Sequence, residues 1–173
     1  MKNTEEKVIS PLEPIWDPES RIIILGTMPS VASRKERFYY AHPRNRFWPV
    51  MEALDGQKLP DREARIAFLH RRHLALWDVV ASCLITGSSD ASIHDVVVND
   101  FSELIHKTKI RRIVTTGKTA GKLYKRYAEQ QTGIPALVLP STSAANASVS
   151  IEELIEAYRI LLEEEDRGSL KEE

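Results

Sequence analysis

The chain has 173 residues, 42% hydrophobic and 28% charged, with a formal net charge of −1. That length suits one domain with a substantial core, and the near-neutral balance argues against nucleic-acid binding spread over the whole surface. No apolar run reaches the ~18 residues of a membrane helix, and the single cysteine, Cys83, excludes an internal disulfide framework, a four-cysteine zinc site and a cysteine-ligated iron–sulfur cluster.

The polar, proline-punctuated start carries no apolar signal core, which points to an intracellular, cytoplasmic protein. His70 and His73 stand three apart, but neighbouring arginines repel a cation, so no metal site is assigned. No cofactor is implied either, since GxGxxG and GxxxxGKS loops are missing. Charge is segregated along the chain: Arg34, Lys35, Arg37, Arg44 and Arg46 lie close together with Glu36 the one acid among them, while acids gather after Glu163. A one-sided DNA contact needs such a distribution, although ordinary solvated charge accounts for it equally well.

Residues 1–20 read as an arm ending in a turn at Asp17-Pro18. The run 21–26 is continuously apolar and closed by glycine, as in a strand buried on both faces. Loop chemistry follows over 27–44. A helix is expected from about Asn45, its N-cap region, with Phe47, Trp48, Met51 and Leu54 at helical spacing and Pro49 in the first turn.

A second helix is expected over 61–73 and a second buried strand over 74–80, interrupted by Asp78. Residues 82–92 read as a polar serine-rich loop and 96–108 as a helix. A third strand spans 112–117, a helix 118–131 and a fourth strand 136–140. After a loop over 141–150, an amphipathic helix over 151–165 turns Leu154, Ile155, Tyr158, Leu161 and Leu162 inward.

This alternation predicts an α/β fold: three layers, α/β/α, around a short central parallel four-stranded sheet. The division expected is an arm (1–20), one domain (21–166) and an acidic tail (167–173). Ligands of such sheets bind beyond the carboxyl ends of the strands. The loops there begin after Gly26, Asp78, Gly117 and Pro140.

The first of these loops is the richest in chemistry. It holds Met28, Ser30 and Ser33, then Tyr39, Tyr40, His42, Arg44, Asn45 and Arg46. Aromatic faces stack bases, arginines hold phosphates, and amides read base edges or hold water. Phe47 and Trp48 are assigned to the core; Tyr40, set among small and polar residues, is assigned to function.

The segments GTMPS and YYAHPRNRFW, with LWDVVASCLITGSSDASI and LPSTSAANA further on, resemble the uracil-DNA glycosylase superfamily. The match is to the mismatch-specific uracil and thymine glycosylases, and closer still to the hypoxanthine (deoxyinosine) DNA glycosylases. It runs from about Arg21 to Tyr158.

The resemblance implies a uracil-DNA glycosylase-like fold and a monofunctional DNA glycosylase acting in base excision repair on a deaminated base, hypoxanthine or uracil, flipped from DNA. It places Met28 where many members carry a catalytic Asp or Asn, and so moves the catalytic role to Asn45. Tyr40 matches the aromatic that stacks on the base, with Met28, Ser30 and Ser33 lining the same pocket. Asp78 stands where uracil-specific relatives carry an asparagine that pairs with the base edge; capping of nearby backbone amides explains it equally.

Ser141, Thr142, Ser143 and Asn146 match the loop that holds phosphates and wedges the stack, but the wedge leucine is missing. Arg44 and Arg46 are expected on DNA. His42 either donates to the leaving base or is fixed structurally beside Pro43. The expected partner is DNA with deaminated or mismatched bases, and the expected state is a monomer. Two alternatives stay open: a mismatch-specific uracil or thymine glycosylase, and a non-catalytic nucleic-acid-binding module of the same fold.

Overall fold

The computed structural model describes residues 4–86 and 90–163. The predicted acidic tail lies outside them. Four parallel strands form the central sheet in the order β3-β2-β6-β7: β2 (Ile22–Gly26), β3 (Leu74–Asp78), β6 (Arg112–Thr116) and β7 (Ala136–Leu139). These are the four apolar runs of the sequence. Side chains alternate across a strand, so Ile22, Ile24, Leu74 and Leu76 enter one core with Phe47 and Tyr158. Ile23, Leu25 and Ala75 enter the other with Phe101 and Tyr124.

Helices cover both faces. The first core is closed by α2 (Phe47–Asp55), α3 (Arg62–Arg71) and α7 (Ile151–Tyr158); the second by α4 (Ser102–Lys107) and α5 (Lys118–Tyr127), which α6 (Glu129–Thr132) follows. Local chemistry sets the boundaries. Asp61 accepts from Ala64 N at 2.8 Å to begin α3, and Ser150 accepts from Glu153 N at 3.1 Å to begin α7. Gly56, at φ 72°, ends α2.

Three expectations are corrected. Residues 5–9, read as arm, form β1 (Glu5–Ile9), which pairs antiparallel with β4 (Val80–Thr86). The supposed polar loop over 82–92 therefore begins as a strand, burying Cys83 and Ile85, and the strand expected over 74–80 ends at Asp78, with Val80 opening β4. The supposed helix over 96–108 is β5 (His94–Val98) followed by the short α4. Three successive valines favour extended backbone, and Asp100, accepting from Ser102 N at 2.9 Å, delays the helix. β1, β4 and β5 make a second, three-stranded sheet. The first loop also contains a short helix, α1 (Val31–Glu36).

Candidate nucleobase-binding cleft

Register builds the floor of the site. β2 pairs with β3 so that Gly26 lies beside Asp78, and Thr116 ends the neighbouring β6. A Cβ placed on Gly26 would stand 2.6 Å from Asp78 Oδ1, 3.5 Å from Tyr40 Oη and 3.7 Å from Thr116 Oγ1. The missing side chain thus leaves a space ringed by three polar groups. Above it opens a cleft of about 450 Å³ at the carboxyl ends of the strands, a volume suited to a small ligand or a nucleobase.

The cleft brings together most of the predicted site. Met28, Ser30, Ser33, Tyr40, Asn45 and Asp78 line it from the first two loops, and Ser141, Thr142 and Ser143 from the last. Tyr40 takes a left-handed backbone, φ 54°, which is costly for a bulky residue. Its ring stacks on Phe47, with centroids 3.9 Å apart and planes 15° apart. One aromatic face is thereby held by the core, while the half-buried residue also lines the cleft. Burial, then the Asp78 carboxylate, push its phenol well above the usual tyrosine range, so it stays an O–H, within 3.4 Å of Thr116 Oγ1.

Asn45 is fixed by two donors. Its Oδ1 accepts from Phe47 N and from Thr142 Oγ1, each at 2.9 Å. A backbone N–H can only donate, so the amide orientation is set. What Asn45 offers the cleft is its NH2 group.

Asp78 is 5% exposed, and its Oδ2 has no hydrogen-bond partner among the described residues. Burial pushes its carboxyl up to about 7. Its backbone carbonyl accepts from Asn99 Nδ2 at 2.8 Å, which holds the strand end. Residues 88 and 89 of the loop that Asp78 was expected to cap lie outside the described residues.

Other predicted residues take different places. His42 is exposed and outside the cleft lining; its Nδ1 accepts from Arg44 N at 3.0 Å, a turn contact that favours the structural alternative. Arg46 is not free for phosphate. Its guanidinium donates to the carbonyls of Val149 and Asn146, clamping the last loop. Asn146 likewise spends its NH2 on Ser141 O at 3.0 Å. Ser33 lines the cleft while its Oγ accepts from Ala41 N at 3.1 Å, bracing the turn before His42.

Sequence reasoning assigned no site role to Gly26, Thr27, Val31, Ile85 and Thr116, all in the cleft wall. Gly26 and Thr116 end buried strands, a position that itself marks ligand contact in such sheets. Ile85 had no signal, because its strand was read as loop. Among the described residues, no group of three or more His, Cys, Asp or Glu is placed to hold a metal, and no helix is long and apolar enough to cross a membrane.

The sequence model of the uracil DNA glycosylase superfamily matches residues 14–161. The chain belongs to this superfamily. Among its glycosylase relatives, the hypoxanthine DNA glycosylase of Methanosarcina acetivorans is 35% identical over 79% of this chain and 87% of its own. That of Methanosarcina barkeri is 31% identical over 77% and 85%. A solution NMR structure of a candidate uracil DNA glycosylase from Methanosarcina acetivorans superposes with a TM-score of 0.72 at 33% identity. It covers 87% of this chain and 96% of that one. The superfamily fold predicted from the motifs is the fold observed.

Proposed function

We propose that this protein is a monofunctional DNA glycosylase that releases hypoxanthine from a flipped deoxyinosine, leaving an abasic site for base excision repair to process. The observation that carries the reading is the meeting of Tyr40 and Asn45 across one cleft, with Asp78 beneath them. The glycosylase relatives named for hypoxanthine favour that base over uracil.

Glycosidic cleavage passes through an oxocarbenium-like state in which the base departs with negative charge. A weak nucleophile then suffices, and donors aimed at the base or the water lower the barrier. Tyr40 stacks the base against a ring already backed by Phe47, a contact worth about 1–3 kcal/mol. Asn45 cannot take a proton; its NH2 grips the attacking water by its oxygen or donates to the departing base. Asp78, as a carboxylic acid, presents one donor and one acceptor, which complement O6 and N1–H of hypoxanthine. As a carboxylate it opposes the negative charge building on that base. The same pairing fits O4 and N3–H of uracil, so Asp78 does not separate the two substrates.

The reading is tested with duplex and single-stranded oligonucleotides carrying one deoxyinosine or one deoxyuridine, followed by alkaline cleavage. Strand breaks at deoxyinosine are the expected result. Faster cleavage at deoxyuridine, or at mismatched thymine, transfers the assignment to a mismatch-specific uracil or thymine glycosylase. Binding without breaks at any base establishes a non-catalytic module instead.

A further inference from the structure

Val31 is 61% exposed and lines the cleft, the one large aliphatic residue of that lining left open to solvent among the described residues. Its exposure is built in. Ser30 caps α1 by accepting from Ser33 N at 3.1 Å, and Ser33 is 3% exposed, its hydroxyl tied to Ala41 N. Two residues along a helix lie about 200° apart, so anchoring Ser33 inward turns Val31 out. The same helix carries Arg34 and Lys35, with Arg37 at its end and no acid in its first turn. The facing lip, from Ser141 to Ala145, is made of small side chains.

A base drawn into the cleft leaves a gap in the stack it came from. Minor-groove and base-flipping proteins hold such gaps open with an apolar side chain, at a cost of a few kcal/mol per unstacked step. An exposed aliphatic at the cleft mouth, flanked by cations suited to phosphates, has the chemistry for that task, and the facing loop does not. We propose that Val31 is the wedge that enters the duplex when the nucleotide leaves it, with the basic side chains of α1 on the flanking phosphates. This rests on the glycosylase reading above. A single strand has no paired stack to hold open, so the wedge matters only in a duplex.

The test compares wild type, Val31→Ser and Val31→Leu in single-turnover release of hypoxanthine. The lesion is placed opposite cytosine in a duplex and, separately, in the same strand alone. A 2-aminopurine next to the lesion reports unstacking independently of cleavage. Val31→Ser should lose about tenfold on the duplex and less than about twofold on the single strand. Val31→Leu should match or exceed wild type, and 2-aminopurine should brighten with wild type but not with Val31→Ser. Equal loss on both substrates, or no loss on either, overturns the wedge and leaves the glycosylase reading intact. Wild type releasing no base overturns that reading, and the wedge then falls if 2-aminopurine responds alike to wild type and Val31→Ser.

Discussion

Thr142 Oγ1 donates to Asn45 Oδ1 at 2.9 Å, across 97 residues of chain. This bond joins the loop after β2 to the loop after β7, and Arg46 N reinforces it by donating to Thr142 O at 3.0 Å. Because Phe47 N holds the same oxygen, the group Asn45 has left to offer a ligand is its NH2, and the proposed catalytic role rests on that group.

Asn45→Asp separates that role from structure. The aspartate keeps an acceptor for Thr142 and Phe47 but replaces the NH2 donor with a charged oxygen. Base release should fall about a hundredfold, the usual loss for one preorganised donor, while Tm and DNA binding stay close to wild type. Retained single-turnover activity would show that an acceptor does the work. Asn45→Ala should also lose activity with binding retained, but it strands the buried Thr142 hydroxyl at a cost of about 1–3 kcal/mol.

Tyr40→Phe keeps the stack on Phe47 and loses only a long contact to Thr116, so single-turnover rates should stay within a few-fold of wild type. Tyr40→Ala removes the platform and should slow base release about tenfold to a hundredfold, by the stacking magnitude. Comparison of the two variants on one deoxyinosine duplex checks the expectation.

Gly26→Ala should close the floor. Its Cβ would meet Asp78 Oδ1 at 2.6 Å, in a strand bonded on both sides, so the carboxylate must move. Base release should fall steeply with a modest loss of Tm. Wild-type kinetics in this variant would remove the Gly26–Asp78 floor from the site.

Asp78 sets a pH dependence of two kinds. With its carboxyl pushed up to about 7 by burial, the folded protein holds a proton that the unfolded chain has released near the ordinary carboxylate range. The stabilisation is therefore full below that range and lost as pH rises to about 7. Asp78→Asn, neutral throughout, should raise Tm at pH 8 by several degrees and progressively less towards pH 5. Base release by wild type should fall as pH rises through about 7, as the donor is lost; in Asp78→Asn that limb should flatten. A wild-type rate that climbs through the same interval would reverse the assigned role.

Arg44 and Arg46 should behave oppositely although one residue separates them. Arg46→Ala breaks the clamp on the Asn146 and Val149 carbonyls, costing about 2 kcal/mol, with little change in the salt dependence of DNA binding. Arg44 is exposed; Arg44→Ala should leave Tm unchanged and reduce the salt slope by about 1. Salt titrations and thermal melts of the pair distinguish these outcomes.

The central sheet was legible because strands buried on both faces must be apolar at every position, as in Ile22–Gly26, where all five residues are buried. The second sheet was not. β1 buries Val8 alone and β5 leaves three of five residues exposed, so β1 carries no long apolar run and the three valines of β5 are too short a run, among polar neighbours, to stand out as a buried strand. Serines within and beyond β4 then read as loop.

Sequence alone therefore determined the parallel α/β core, the superfamily, and the segments that supply the cleft, since burial and motif chemistry are written in local residue order. Only the folded chain decided which side chains of those segments reach the cleft. His42 faces solvent, Arg46 is spent on carbonyls, Asn45 is turned by a threonine far along the chain, and Asp78, beside a glycine, keeps an Oδ2 with no hydrogen-bond partner among the described residues. Those outcomes depend on strand register and on hydrogen bonds between distant loops, which local spacing does not encode.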